Sequence, residues 1–233
     1  MKKLMGFLII TLFPIFIFAK ELENTNLNIK LEVNDDYITL TRDNLLDNKD
    51  LDKLGLTKEN MEKLMIENNI YFDIIKSDIS YEVLVVVPKT NVSIKNLTKE
   101  DDLFLENLRK ELAKQTDSEI SNIYKNNYNF VMVDYYDKNT GYYIVNYYTI
   151  VNSRGYNFQL QKKTQLTDSD KDDLKNIIDN VTFKIIEEKK EEKKEEKQEF
   201  DYMIIVYGAI LGAMAGIITY YIGITYKRIK SSK

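Results

Sequence analysis

No cysteine and no histidine occur among the 233 residues, and proline appears only twice. Without cysteine there is no disulfide framework, thiolate nucleophile or cysteine metal site. Without histidine, Ser-His-Asp chemistry, Cys-His chemistry and ordinary zinc sites are excluded. Acidic residues are also absent from both ends. All 37 Asp and Glu fall between positions 21 and 201, where 26 Lys and Arg leave a net charge near −11. Phosphate binding needs a basic face, so this region is not a nucleic-acid partner, and anionic polymers are repelled on average. Calcium-dependent or cationic partners fit that charge. Lysine outnumbers arginine 29 to 4, as in the proteins of AT-rich bacterial genomes.

Uncharged sequence is concentrated in two places. Positions 202–226 form an uncharged run of 25 residues, entered through the tract EEKKEEKKEEKQE at 187–199 and followed by Lys227, Arg228, Lys230 and Lys233. A bilayer core of about 30 Å needs roughly 20 apolar helical residues, so the run predicts a transmembrane helix. Tyr202, Tyr207, Tyr220, Tyr221 and Tyr226 suit the headgroup level, and the cations that follow place the tail 227–233 in the cytoplasm. At the other end Lys2 and Lys3 precede the apolar stretch 4–19, which reads as a signal peptide ending at Ala19. An uncleaved anchor there would leave the middle of the chain on the same side. The expected protein is therefore single-pass in the cell membrane, with positions 20–186 outside, a charged stalk at 187–201 and a short cytoplasmic tail.

The extracytoplasmic part is long enough for one domain with a proper core. Leu27, Ile29, Leu31 and Val33 alternate with polar residues, and after Asn34-Asp35-Asp36 a second strand near 37–41 completes an expected hairpin. Thr57 stands as N-cap to a helix over 58–68. Two apolar strands follow at 70–75 and 81–87, then a helix marked by Leu105, Leu108 and Leu112, with Asp101 near its start. Turn residues divide 120–163 into four strands forming an antiparallel meander. In the last of them Tyr156, Phe158 and Leu160 predict a buried face, and Asn157, Gln159 and Gln161 a wet one. Thr167 caps a final helix over 168–180, before an extended exit at 182–186. The expectation is an α+β fold, an antiparallel sheet with packed helices in the order ββαββαββββα.

This order resembles the PsbP-like superfamily. The resemblance rests on the hairpin sequence GYYIVNY starting at Gly141, the strand 156–161 and the terminal helix sequence LKNIIDNVTF starting at Leu174. It spans the whole domain, from which the stretch 43–56 departs. It implies a non-catalytic binding or assembly module and transfers no site residues.

Four features carry functional expectations. The acids Asp168, Asp170, Asp172 and Asp173, with Asp179 at the twelfth position, partly match a calcium loop, but Asp173 stands where the loop's turn wants glycine. The dipole of the helix capped by Thr167 favours acids there without any metal, so none is assigned. Adjacent tyrosines at 135–136, 142–143 and 147–148 put one ring on each sheet face. Tyr135, Tyr142 and Tyr147 are the candidates for an aromatic surface that could stack on glycan or peptide, against cross-strand packing as the plainer role. Gly208, Gly212 and Gly216 line one side of the run 202–226, smooth enough for close helix association with a second copy or a partner span. The Glu/Lys tract reads as a solvated spacer. No spacing selects a catalytic pair, no cofactor is called for, and the ligand is unspecified. The sequence supports a membrane-anchored, extracytoplasmic, non-catalytic binding or sensing module, with a subunit or assembly factor of a membrane complex as the alternative.

Overall fold

The computed structural model describes residues 19–186, except 46–48, 90–92, 117 and 126. The signal segment 1–18, the stalk, the run 202–226, the tail and the candidates Gly208, Gly212 and Gly216 lie outside the described residues. Among the described residues no helix is long and apolar enough to cross a membrane.

The domain is α+β with two antiparallel sheets. β1 (Ala19–Asn24), β2 (Ile29–Asn34) and the two-residue β10 (Thr182–Phe183) form a small sheet in the order β1-β2-β10. The larger sheet contains β3 (Tyr37–Thr41), β4 (Ile70–Lys76), β5 (Glu82–Val86), β6 (Glu119–Lys125), β7 (Tyr128–Asp137), β8 (Tyr142–Val151) and β9 (Arg154–Lys162). Its order is β3-β4-β5-β9-β8-β7-β6. The expected meander over 120–163 is present as β6 to β9. The expected hairpin between the strands near 27–33 and 37–41 is not: β2 pairs with β1 and β10, whereas β3 pairs with β4. The turn at Asn34-Asp35-Asp36 carries the chain from one sheet to the other. The hairpin that opens the domain is β1–β2, closed by Asn28 in the left-handed region at φ 55°.

Three of the helices begin where a side-chain acceptor meets a free amide. α1 (Asp50–Leu54), inside the stretch that departs from the resemblance, ends at Gly55 with φ 66°. α2 (Lys58–Glu67) starts at Thr57, whose hydroxyl accepts from the Asn60 amide at 3.3 Å. For α3 (Asp102–Thr116) the cap is Asp101, which accepts from the Phe104 amide at 2.8 Å. Thr98 lies in a 3-10 turn before it (Leu97–Lys99) and accepts from the Asn129 amide at 2.9 Å. α4 (Asp168–Asp179) opens with a full capping box between Thr167 and Asp170.

Both faces of the large sheet are covered. On one face Phe72, Ile74, Val83, Val85, Val145, Tyr147, Phe158 and Leu160 meet α4 through Leu174, Ile177 and Ile178, and the small sheet through Ile29, Leu31 and Val33. On the other, Leu51, Leu54, Met61 and Met65 of α1 and α2 cover Ile38, Leu40, Ile75, Leu84 and Val86. Leu105, Leu108 and Leu112 of α3 cover Val131, Val133, Tyr148 and Ile150 beside them. This double cover corrects the expectation of a wet face on β9, because Asn157, Gln159 and Gln161 are all buried.

Polar ties fix α4 at the edge of its layer. Asp173 accepts from the Tyr81 hydroxyl and from Lys76 Nζ at 3.3 Å, and Lys76 also pairs with Asp36 at 2.7 Å. The exit of the domain is clamped too. The Lys184 amide donates to Asn28 O at 2.9 Å, while Asn152 donates to Lys184 O and accepts from the Ile186 amide, both at 3.0 Å.

Gly155 shows how closely the β8–β9 pair is packed. A Cβ there would lie 2.6 Å from the Tyr148 hydroxyl oxygen and 3.0 Å from a ring carbon of the same side chain. Gly155→Ala is expected to cost about 1–3 kcal/mol through overpacking. Tyr148→Phe in the same chain should recover part of that loss, measured by urea denaturation of the single and double variants.

Candidate functional site: a buried polar seam

Strand pairing brings polar residues together on the sheet face that α1, α2 and α3 share. One row across the sheet reads Asp73, Leu84, Gln159, Asn146, and the next reads Ile75, Glu82, Gln161, Ile144. Asp73 and Glu82 are diagonal neighbours on adjacent strands, a placement that sets Cβ atoms roughly 7–8 Å apart. Both carboxyl groups have 0 % exposure, and Asn146, Asn157, Gln159 and Gln161 are buried with them.

Amide groups organise half of this seam. Gln159 Nε2 donates to Gln161 Oε1 at 2.7 Å, and Gln161 Nε2 in turn donates to Glu82 Oε1. Asn146 Nδ2 donates to Asn157 Oδ1 at 2.8 Å. Asp73 is different: neither of its carboxyl oxygens has a hydrogen-bond partner among the described residues. Burial pushes its pKa well above the ordinary carboxylate value, and the nearby Glu82 adds to the rise. A buried carboxyl group without donors is stable only when neutral. The seam thus divides the labour, with Glu82 receiving the amide hydrogen bond and Asp73 keeping a proton. It can take up and release a proton. It contains no side chain that serves as an activated nucleophile.

Sequence reasoning passed over both acids. They sit inside the apolar runs 70–75 and 81–87, and a lone acid in each of two adjacent buried strands was the available signal.

The tyrosine candidates do not form one surface. Tyr135 is half-buried on the α3 side, where it packs against the cluster under that helix. Tyr142 is 1 % exposed, with Lys163 Nζ 3.7 Å from its ring centroid. Tyr147 is 5 % exposed on the opposite face, edge-on to Phe130 at 6.2 Å. The expected platform is corrected accordingly: cover on both faces turns Tyr142 and Tyr147 into core. The most exposed ring of these pairs is Tyr136, 48 % exposed and set against Tyr143 at 4.8 Å.

The acids at the start of α4 are engaged within the protein. Burial acts to raise Asp170, but hydrogen bonds from Lys162 at 2.8 Å and from Thr167 outweigh it and hold the carboxyl below its ordinary value. Asp173 accepts from Tyr81 and Lys76 as described. Among the described residues no group of three or more acids is placed to hold a metal ion.

No family model matches this chain. No curated protein matches it either. Several solved structures are similar in chain path, two of which follow. One is the solution structure of the cyanobacterial PsbP, CyanoP, from Synechocystis sp. PCC 6803, at 9 % identity and TM-score 0.43, covering 72 % of this chain and 94 % of that one. The other is a crystal structure from Bacteroides thetaiotaomicron VPI-5482, at 9 % identity and TM-score 0.39, covering 67 % of this chain and 45 % of that one. The likeness concerns the fold and assigns no role to the seam.

The raised pKa of Asp73 has a definite sign in stability. The folded state keeps a proton that the unfolded chain has lost, so stability falls as pH rises above about 4 toward the raised folded value. Below that window the penalty vanishes. Asp73→Asn should remove this slope, worth about 1.4 kcal/mol per pH unit inside the window. Thermal unfolding from pH 4 to pH 9 should show the variant gaining on the wild type as pH rises.

Proposed function

We propose that this chain is a membrane-anchored, extracytoplasmic, non-catalytic binding or sensing module, held to the membrane by one span at 202–226. The observation that carries this reading is the seam: an acid pair enclosed between helices and sheet, able to respond to its surroundings and lacking an activated nucleophile. Absent cysteine and histidine point the same way. The uncharged run with cations only after it supplies the address. Outside the cytoplasm such a domain meets solutes and partners of the envelope directly.

A second reading rests on the spacing of Gly208, Gly212 and Gly216. Three small residues at four-residue intervals fit a subunit or assembly factor that docks in the membrane through this helix face.

The cysteine-free chain makes the topology directly testable. On intact cells a membrane-impermeant maleimide should label Ser80→Cys, in an exposed turn, and leave Ser232→Cys unlabelled until the membrane is permeabilised. The reverse pattern sinks the extracytoplasmic assignment. Crosslinking in membranes separates the two roles: Gly212→Leu should abolish crosslinked species if the glycine face docks, and leave them intact if the span only anchors.

A further inference from the structure

Asp73 lies at the centre of the apolar cluster that joins α1 and α2 to the sheet. Its register partners are Leu40 on β3 and Leu84 on β5, and Ile75 follows it on the same face of β4. The side chains that α1 and α2 press onto this cluster are Leu51, Leu54, Met61 and Met65.

Charged groups on the surrounding elements point elsewhere. On the helices Asp52, Lys53, Glu59, Glu62, Lys63 and Glu67 are exposed, Asp50 bonds to Lys53 at 2.6 Å, and Lys58 is half-exposed. Beyond β3, Arg42 donates to Ile70 O and Met65 O at 2.7 and 2.8 Å and stacks on Tyr71. At the far end of the seam Lys163 donates to Thr140 O at 2.7 Å. Glu82 is the charged group that bears on Asp73.

We infer that Asp73 and Glu82 form a proton-operated latch on the α1–α2 pair, closed while Asp73 holds its proton and released when that proton passes to solvent. This rests on the sensing reading above and names its ligand as the proton. The physical cause is the cost of an unpaired charge in an apolar cluster, which is far greater than the cost of locally exposing a small helical unit to water. Ionised Asp73 has no donor to turn to, and Glu82 beside it repels the new charge. Separation of α1 and α2 from β3, β4 and β5 lets water reach the carboxylate. The remainder of the sheet, covered by α4 and α3, stays folded. A rise in external pH is thereby converted into exposure of one defined patch, made of Leu51, Leu54, Met61 and Met65 and the strand residues beneath them.

Hydrogen exchange on the full-length chain in detergent, corrected for the intrinsic pH dependence of exchange, tests the latch. Protection of amides 50–67 should fall about tenfold per pH unit from about pH 4 toward the raised value of Asp73 in the closed state, as one released proton requires, while β7 to β9 stay protected. Asp73→Asn should hold 50–67 protected at every pH. Glu82→Gln removes the repulsion and makes Asp73 easier to ionise in the closed state, so the loss of protection should end at a lower pH and be smaller than in the wild type. Flat protection of 50–67 in the wild type, or parallel opening of Asp73→Asn and wild type, overturns the latch. Either result leaves the anchored-module reading standing, because that reading falls only with the maleimide labelling.

Discussion

Seven strands with apolar side chains on both faces cannot stand in water with one face bare, and the rest of the structure answers that constraint. α4 and the small sheet cover one side, α1, α2 and α3 the other. Burial of apolar area is worth about 25 cal/mol per Å², so the many side chains in these three clusters supply the dominant favourable term in folding. The helices contribute by the stripes they present more than by their intrinsic stability. α1, only five residues long, has no standing apart from the sheet it covers.

Double cover also decides which polar groups become unusual. In a sheet with one wet face Asn157, Gln159 and Gln161 would be ordinary solvent-facing residues. Here they are enclosed, and side-chain amides link Gln159 to Gln161, Gln161 to Glu82 and Asn146 to Asn157. Asp73 is outside that exchange because Leu84 stands between it and Gln159 in the same row. One intervening leucine separates the amide-linked chain from an acid whose stability depends on its proton.

Local signals in the sequence were legible where they depend on neighbours along the chain. Thr167 and the stripe Leu174, Ile177 and Ile178 define α4 almost to the residue, and the turn residues mark the breaks between β6, β7, β8 and β9. Strand partnership was not legible, since Asn34-Asp35-Asp36 looks the same whether it closes a hairpin or passes between sheets. Nor was the state of the tyrosines. Alternation correctly places one ring of each pair on each face, but whether a face is wet depends on helices remote in sequence. The same gap hid Asp73 and Glu82, whose significance appears only when β4 and β5 are seen paired and enclosed.

The clamp at residues 182–186 has a mechanical meaning. Tension applied to the chain beyond Ile186 meets the two Asn152 hydrogen bonds first, then the Lys184 bond to Asn28, and only then the two register pairs of β10 with β2. These contacts lie in series and yield one after another, a peeling geometry of low resistance. β2 sits between β10 and β1 and packs on the same cluster as α4, so a load that strips the clamp reaches the small sheet before it reaches the seam. The domain thus has a sacrificial hinge at its C-terminal edge, which spares the seven-stranded sheet from forces carried along the chain.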